Sequence, residues 1–246
     1  MKLLSYNIRF GGVGRVGPMA SVIKACAPDL VLLQEATRPD VVAQLAEATG
    51  MAAWASHPTH SLGFMSREPV ASHAWHRPPG TGRSFLEIVI RPEGLRVFGV
   101  HLTAVHSNWT ERRRARELRE LLSGIEKHSQ GFHVVAGDFN TLAPGEELDI
   151  SKLPARLRAI VWITGRKLRW QTIQMMLDAS YVDAFRLSHD SKEPGYTFPT
   201  WDPHVRLDFA FLPAAFKDRV VACNVVSHEA VKAASDHLPL LAEIST

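Results

Sequence analysis

The stretch His133-Val134-Val135-Ala136-Gly137-Asp138-Phe139-Asn140-Thr141 constrains the fold more than any other. A valine-rich apolar run of this length reads as a buried strand, and it stops at a glycine, an acid, an aromatic and an amide. Alternate residues of an extended chain share a face. Asp138 and Asn140 are therefore expected to project together from the strand's carboxyl end, with Phe139 turned into the core. A carboxylate so placed can orient or deprotonate a water, and the amide can hydrogen-bond a phosphoryl oxygen. An Asx-type turn, which Asp and Asn favour, accounts for the same residues without any chemistry.

The same pattern of an apolar run ending in a polar residue recurs along the chain. Residues 2–10 alternate as a strand, with Asn7 near its end before the permissive Gly11-Gly12 loop. Met19, Val22, Ile23 and Cys26 have helical spacing, and Pro28 closes that element before the apolar run 29–34 delivers Glu35. A carboxylate there is costly to bury unless it is paired or bound to a cation, so a structural salt bridge is the plain alternative. A second helix is expected from Pro39 to Thr49, with Val41, Val42, Leu45 and Ala46 on its apolar face. Residues 51–76 read as strands broken by turns, and their scattered histidines suit no compact zinc site.

Residues 83–91 and 95–102 flank Pro92-Glu93-Gly94 as a hairpin, which brings His101 to another strand exit. Thr110 can cap a helix running to about Lys127, with Leu118, Leu121, Leu122 and Ile125 on one face. Its arginines, Arg112, Arg113, Arg114, Arg116 and Arg119, alternate with Glu111, Glu117 and Glu120 and are expected to form a solvated, mutually neutralised face. Strands are expected at 181–185, 206–212, 220–226 and 239–244, with an aromatic loop or short strand at 196–201. Asp208 is placed to hold the ring of His237, in Ala234-Ser235-Asp236-His237, and to favour its charged form.

With 246 residues, 46% of them hydrophobic, the chain can bury a full α/β core. Lys+Arg 28 against Asp+Glu 25 gives only +3, so any basic surface must be local. Cys26 and Cys223 form neither a metal-spaced cluster nor a disulfide framework, which points to a reducing compartment. Residues 1–7 enter a strand directly, with no apolar stretch long enough for a signal peptide or membrane span, so a cytoplasmic location is expected. Between Ser151 and Leu177 there are six basic residues (Lys152, Arg156, Arg158, Arg166, Lys167, Arg169) and no acid, interleaved with Trp162, Ile163, Trp170 and Ile173. Such a segment can track a phosphate backbone, rest on an anionic bilayer, or pack as ordinary helices over a sheet. It reads as a basic-aromatic insertion at about 142–180 within a single domain spanning 1–246, and as the first candidate for substrate selection.

Taken in order, Asn7 in Ser-Tyr-Asn-Ile-Arg, Glu35 in Leu-Leu-Gln-Glu, His101 in Gly-Val-His-Leu, Gly137-Asp138-Phe139-Asn140, and Asp208 with Ser235-Asp236-His237 resemble the endonuclease/exonuclease/phosphatase superfamily over nearly the whole chain. That resemblance implies a four-layer α/β sandwich of two mainly antiparallel β-sheets packed face to face with helices outside. It also implies a divalent-metal phosphodiesterase using Mg²⁺ or Mn²⁺. Carried onto this sequence, Glu35, Asn7 and Asp236 look like metal ligands. Asp138 would orient the attacking water, Asn140 would bind the phosphoryl group, and His237 with Asp208 would stabilise its charge. His101 and Arg83 look like phosphate contacts.

The superfamily's branches leave the substrate open. Arg9 and Glu35-Ala36-Thr37 stand where abasic-site endonucleases carry an acid and Glu-Thr-Lys, while the Asn-Ile-Arg start resembles the deoxyribonuclease branch. Nucleic acid is the leading substrate. A phospholipid or sphingomyelin-type phosphodiesterase touching an anionic membrane, or a small-molecule phosphatase, is the alternative, and a catalytically silent binding module is the reading from another class.

Overall fold

The computed structural model describes residues 1–91, 94–104, 108–128, 131–146, 170–190 and 192–246. The first sheet has the order β11-β12-β1-β2-β4-β3, built from β1 (Lys2–Asn7), β2 (Leu30–Gln34), β3 (Ala53–Ala55), β4 (Leu62–Ser66), β11 (Val220–Val225) and β12 (Leu240–Ile244). The second has the order β5-β6-β7-β8-β10-β9, built from β5 (Ser72–His76), β6 (Phe85–Val89), β7 (Arg96–His101), β8 (His133–Asp138), β9 (Tyr181–Asp183) and β10 (Asp208–Pro213). Each sheet has one parallel pair, β1 with β2 and β7 with β8; the other pairings are antiparallel.

The inner strands β1, β2, β7 and β8 are buried on both faces because both faces are covered. Leu32, Phe64, Ile88, Val97, Val134 and Leu240 form part of the core between the sheets. Gly99 permits the close approach there, since a Cβ on it would run into the Leu32 side chain. Behind the first sheet, α1 (Val16–Cys26) and α2 (Pro39–Thr49) cover a second core through Met19, Val22, Ile23, Val42 and Leu45. Behind the second sheet, α3 (Asn108–His128) and α4 (Gln171–Asp178) cover a third through Leu118, Leu121, Ile125, Ile173 and Met176. Helix, sheet, sheet, helix is the expected four-layer α/β sandwich.

Two local expectations are revised. The strand expected at 181–185 ends at Asp183, whose Oδ1 accepts the Phe185 N–H at 3.0 Å and caps the short helix α5 (Ala184–Ser188). The charged face of α3 is not uniformly solvated: Glu111, Arg114 and Glu117 are buried. Glu111 accepts from Arg114, from Thr141 Oγ1 (3.0 Å) and from both Thr172 N–H and Oγ1, while Glu117 accepts from Thr103 N–H and Oγ1. The i, i+3 spacing of a surface ion pair also suits a pair turned inward, provided hydroxyls and amides complete the bonding. Of the basic-aromatic segment, residues 151–169 lie outside the described residues. In the remainder Ile173 is buried under α3, and only Trp170 and Leu177 present apolar surface.

Candidate active site

Strand direction gathers the polar residues at one edge of the sandwich. Parallel pairing puts Asn7 opposite Gln34 at the ends of β1 and β2, and His101 opposite Asp138 at the ends of β7 and β8. β10 runs the other way, so its first residue, Asp208, sits opposite Asp138. His237 lies in the turn entering β12, which pairs antiparallel with β1. The two sheets meet here directly: Asn7 Nδ2 donates to Asp138 Oδ2 at 3.0 Å.

Asp138, Asp208, His101 and His237 are all buried. Asp138 is raised to about 7, chiefly by burial and next by the Asp208 charge, against the pull of His237, the Asn140 N–H and the Asn7 amide. Burial would push His237 down, yet it stands at about 9 because Asp208 accepts its Nδ1–H at 2.9 Å and Asp138 and Asp236 add negative charge. His237 is thus an imidazolium at neutral pH, with Nε2 3.9 Å from Asp138 Oδ2 and directed to the shared space. His101 goes the opposite way, down to about 3, through burial and then the nearby charges of Arg83 and His237. It is neutral, its Nε2 is 3.9 Å from Asp138, beyond hydrogen-bond distance, and its buried Nδ1 has no partner. Asp208 Oδ1 is likewise buried and unpartnered.

The turn after β8 serves both readings of its sequence. Asp138 Oδ1 accepts the Asn140 N–H at 2.8 Å, an Asx turn, and Asn140 takes a left-handed backbone with φ 53°. Asn140 does not simply project beside Asp138: its Nδ2 donates to the Leu102 carbonyl at 3.1 Å, which ties the turn to the end of β7. Phe139 is buried against Phe209 and Phe211, as the alternation requires. Gly137, with φ 139°, lies where a Cβ would strike the Val100 carbonyl.

Glu35, Asn7 and Asp236 are connected through the loop after β1. Arg9 N–H donates to Asn7 Oδ1 (3.0 Å), Phe10 N–H to Glu35 Oε2 (2.6 Å), and the Arg9 guanidinium lies 3.2 Å from Asp236. Arg9 and Phe10 both have positive φ, as does Glu35. Strain of this kind persists only where the surroundings impose it. Arg15 supplies part of that restraint by donating to the carbonyls of Ile8, Arg9 and Ala234. Arg83 is half-buried and acts on His101 through its charge.

Several positioning residues escaped the sequence reading. Ser235 Oγ donates to the Asn7 carbonyl at 2.6 Å and accepts the His237 N–H, so it locks the His237 turn onto β1. Buried Thr197 accepts Leu207 and Asp208 N–H on its hydroxyl and Leu238 N–H on its carbonyl, which fixes Asp208 relative to His237. Phe198 rests on the His237 ring, with centroids 4.9 Å apart. Single Ser and Thr side chains carry no spacing signal that would have distinguished them.

The fold and this buried centre define a class of hydrolases. The sequence matches the model of the Endonuclease/Exonuclease/phosphatase family over residues 4–237. The chain belongs to that family and is a hydrolase. Among solved structures it is similar to an AP endonuclease from Archaeoglobus fulgidus, with 18% identity, full coverage of both chains and a TM-score of 0.76. A 3' phosphatase from Neisseria bound to product DNA hairpin has 20% identity, full coverage of both chains and a TM-score of 0.74. Humanized D. rerio TDP2 has 20% identity, with 100% of this chain and 99% of that one covered and a TM-score of 0.70. None of the curated proteins matches it in sequence.

Proposed function

We propose that the protein is a divalent-metal-dependent phosphodiesterase that hydrolyses nucleic acid by in-line attack of water. The observation that carries this reading is the buried assembly in which Asp138 is held by Asn7 and Asn140, and His237 is held charged by Asp208. Asp138, with an affinity for protons near neutrality, is suited to orient and deprotonate a water. The His237 imidazolium presents Nε2–H to a phosphoryl oxygen, where charge accumulates in the transition state. Neutral His101 and the Arg83 cation add contacts to the same group, and Asn140 keeps a second amide hydrogen beyond the one it donates to Leu102.

Asn7, Glu35 and Asp236 offer an oxygen-only set that suits Mg²⁺ or Mn²⁺, and each carboxylate or amide keeps lone pairs that its hydrogen bonds do not use. The donor atoms of Asp138, Asp208 and His237 also lie within 4.8 Å of one another. A cation there would require a neutral imidazole, which the Asp208 contact disfavours. An ion bound at Glu35 supplies polarisation of the phosphoryl oxygen and neutralisation of charge.

Nucleic acid is favoured as substrate by two exposed aromatics near this edge, Phe10 at 74% and Trp201 at 61%. Phe10 follows the Asn7 loop, and Trp201 packs edge-on to the Phe198 ring that covers His237. Such rings are platforms for unstacked bases. That the similar A. fulgidus and Neisseria proteins are an AP endonuclease and a 3' phosphatase bound to DNA points the same way. No helix among the described residues is long and apolar enough to cross a membrane, and no described feature favours a lipid substrate.

The test is hydrolysis of plasmid, single-stranded DNA, RNA, sphingomyelin and bis-p-nitrophenyl phosphate with Mg²⁺, Mn²⁺ or EDTA. Metal-dependent cleavage of nucleic acid is expected. Cleavage of lipid alone, or activity that survives EDTA, contradicts the reading.

A further inference from the structure

The burial of Glu111 and Glu117 changes what the outer face of α3 can do. Glu111 is consumed by Arg114, Thr141 and Thr172 on the inner side. Glu117 is consumed by Thr103 and by Arg113, whose Nε donates to it at 3.2 Å. Arg112 and Arg116 remain exposed, and neither has an ion pair with an acid among the described residues. They do not face open solvent alone. With Arg113 they line a cavity of about 650 Å³ that Gly80 and Thr81 also line.

This cavity adjoins the site already described. The guanidinium of Arg113 lies against the bare face of Gly82, where any Cβ would displace it, and the next residue is Arg83, whose charge reaches His101. On the other side Thr103, two residues beyond His101, is the anchor of Glu117. A volume within the range of small-ligand clefts, about 300–1,000 Å³, is too large for one inorganic anion and fits a nucleotide unit. Planar guanidinium groups match phosphate oxygens in bidentate fashion, and the one carboxylate among the described lining residues, Glu117, is already neutralised by Arg113.

We propose that this cavity is a second phosphate site, in which Arg112 and Arg116 hold a nucleotide of the substrate strand next to the one that is cleaved. It rests on the nucleic-acid reading above. The site contributes binding and register, while the chemistry stays with Asp138 and His237. A substrate with a single phosphodiester has nothing to place there.

The test compares wild type, Arg112→Ala/Arg116→Ala, Arg112→Glu/Arg116→Glu and, as control, Arg119→Ala, an exposed arginine of the same helix that does not line the cavity. Binding of a fluorescent 12-nucleotide DNA is followed by anisotropy in EDTA across salt concentrations, and turnover of bis-p-nitrophenyl phosphate is followed with Mn²⁺. The double alanine variant is expected to lose about tenfold or more in affinity. Its plot of log affinity against log salt should be shallower by about 1.4 for two single-strand phosphate contacts. The glutamate pair should lose more, and all variants should turn over the small substrate as wild type does. Wild-type affinity and salt slope in both double variants, while DNA is still cleaved, would overturn the site and leave the activity standing. A wild type that cleaves bis-p-nitrophenyl phosphate but neither binds nor cleaves nucleic acid would overturn the nucleic-acid reading, and the site with it.

Discussion

The centre and the rim of this edge are built on different principles. Asp138 and Asp208 are 1% exposed and His101 and His237 are 6% exposed, and three of the four sit on strands whose register puts them opposite one another. The side chains of Phe10, Arg112 and Arg116 stand on a strained loop and on the outer face of a helix, exposed to solvent. Buried charge is tolerable only when paired, so a change at Asp138, Asp208 or His237 leaves a partner stranded. The rim has no such dependence, and its groups can vary without disturbing the fold. Chemistry therefore belongs to the centre and substrate choice to the rim.

The largest effect that would sharpen this contrast is expected from His237→Ala, which removes the charged donor. Steady-state hydrolysis of DNA should fall by about a thousandfold, at the upper end of what a single transition-state donor supplies, with the circular dichroism spectrum unchanged. Asp208→Asn should be milder, about a hundredfold in rate. It should also move the alkaline limb of the pH–rate profile to lower pH, because His237 loses the carboxylate that raises it above its usual range. An unshifted alkaline limb would place the titrating group elsewhere.

Metal-free stability should carry the mark of the centre as well. The folded pKa of Asp138, about 7, and that of His237, about 9, both lie above their ordinary values, so each binds more protons in the folded state than in the unfolded one, whereas His101, pushed down to about 3, binds fewer. The Asp138 contribution is present at low pH and lost as pH rises from about 4 through about 7. The His237 contribution is full below about 6.5 and lost as pH rises through about 9. Neutral His101 adds stability as pH rises from about 3 to 6.5 and offsets the Asp138 loss there, so melting temperature in EDTA should change little up to about pH 6.5 and fall from there to about pH 9, and Asp138→Asn should make it rise with pH in the lower range. A melting temperature that rises with pH between about 5 and 9 would show that these groups do not dominate. At the rim, Phe10→Ala is the smallest change: a KM for single-stranded DNA raised about tenfold, equivalent to the weaker end of base stacking, with kcat and bis-p-nitrophenyl phosphate turnover kept.

The same division decides how much could be read from the sequence. Asn7, Glu35, His101, Asp138 and Asp208 each stand at an end of an apolar run, and a polar residue forced to the end of a buried strand is visible as a break in pattern. Most of the strands, α1, α2 and the hairpin of β6 and β7 followed from the same periodicities, while the assembly of the strands into two sheets was implied by the family resemblance. What could not be read depends on three-dimensional neighbours. Glu111 and Arg114 have the spacing of a surface pair, and only the approach of Thr141 and Thr172 makes them an interior one. Asp183 ends its strand because its carboxylate finds the Phe185 N–H, a choice invisible in Tyr-Val-Asp-Ala-Phe. The hydrogen bonds of Ser235 and Thr197 span 228 and 10 residues, a matter of topology and not of local pattern.

The most direct test of this division is the rate of phosphodiester hydrolysis by Asp138→Asn, measured with saturating Mn²⁺ on both a 12-nucleotide DNA and bis-p-nitrophenyl phosphate. The amide keeps the shape of the side chain and, through its oxygen, the bond from the Asn140 N–H, at the cost of the bond from Asn7, and it cannot take a proton. A loss of about a thousandfold or more on both substrates, in a protein that still binds DNA in EDTA as wild type does, is the expected result. A folded variant within tenfold of wild type on either substrate would contradict the assignment of the chemistry to the buried centre.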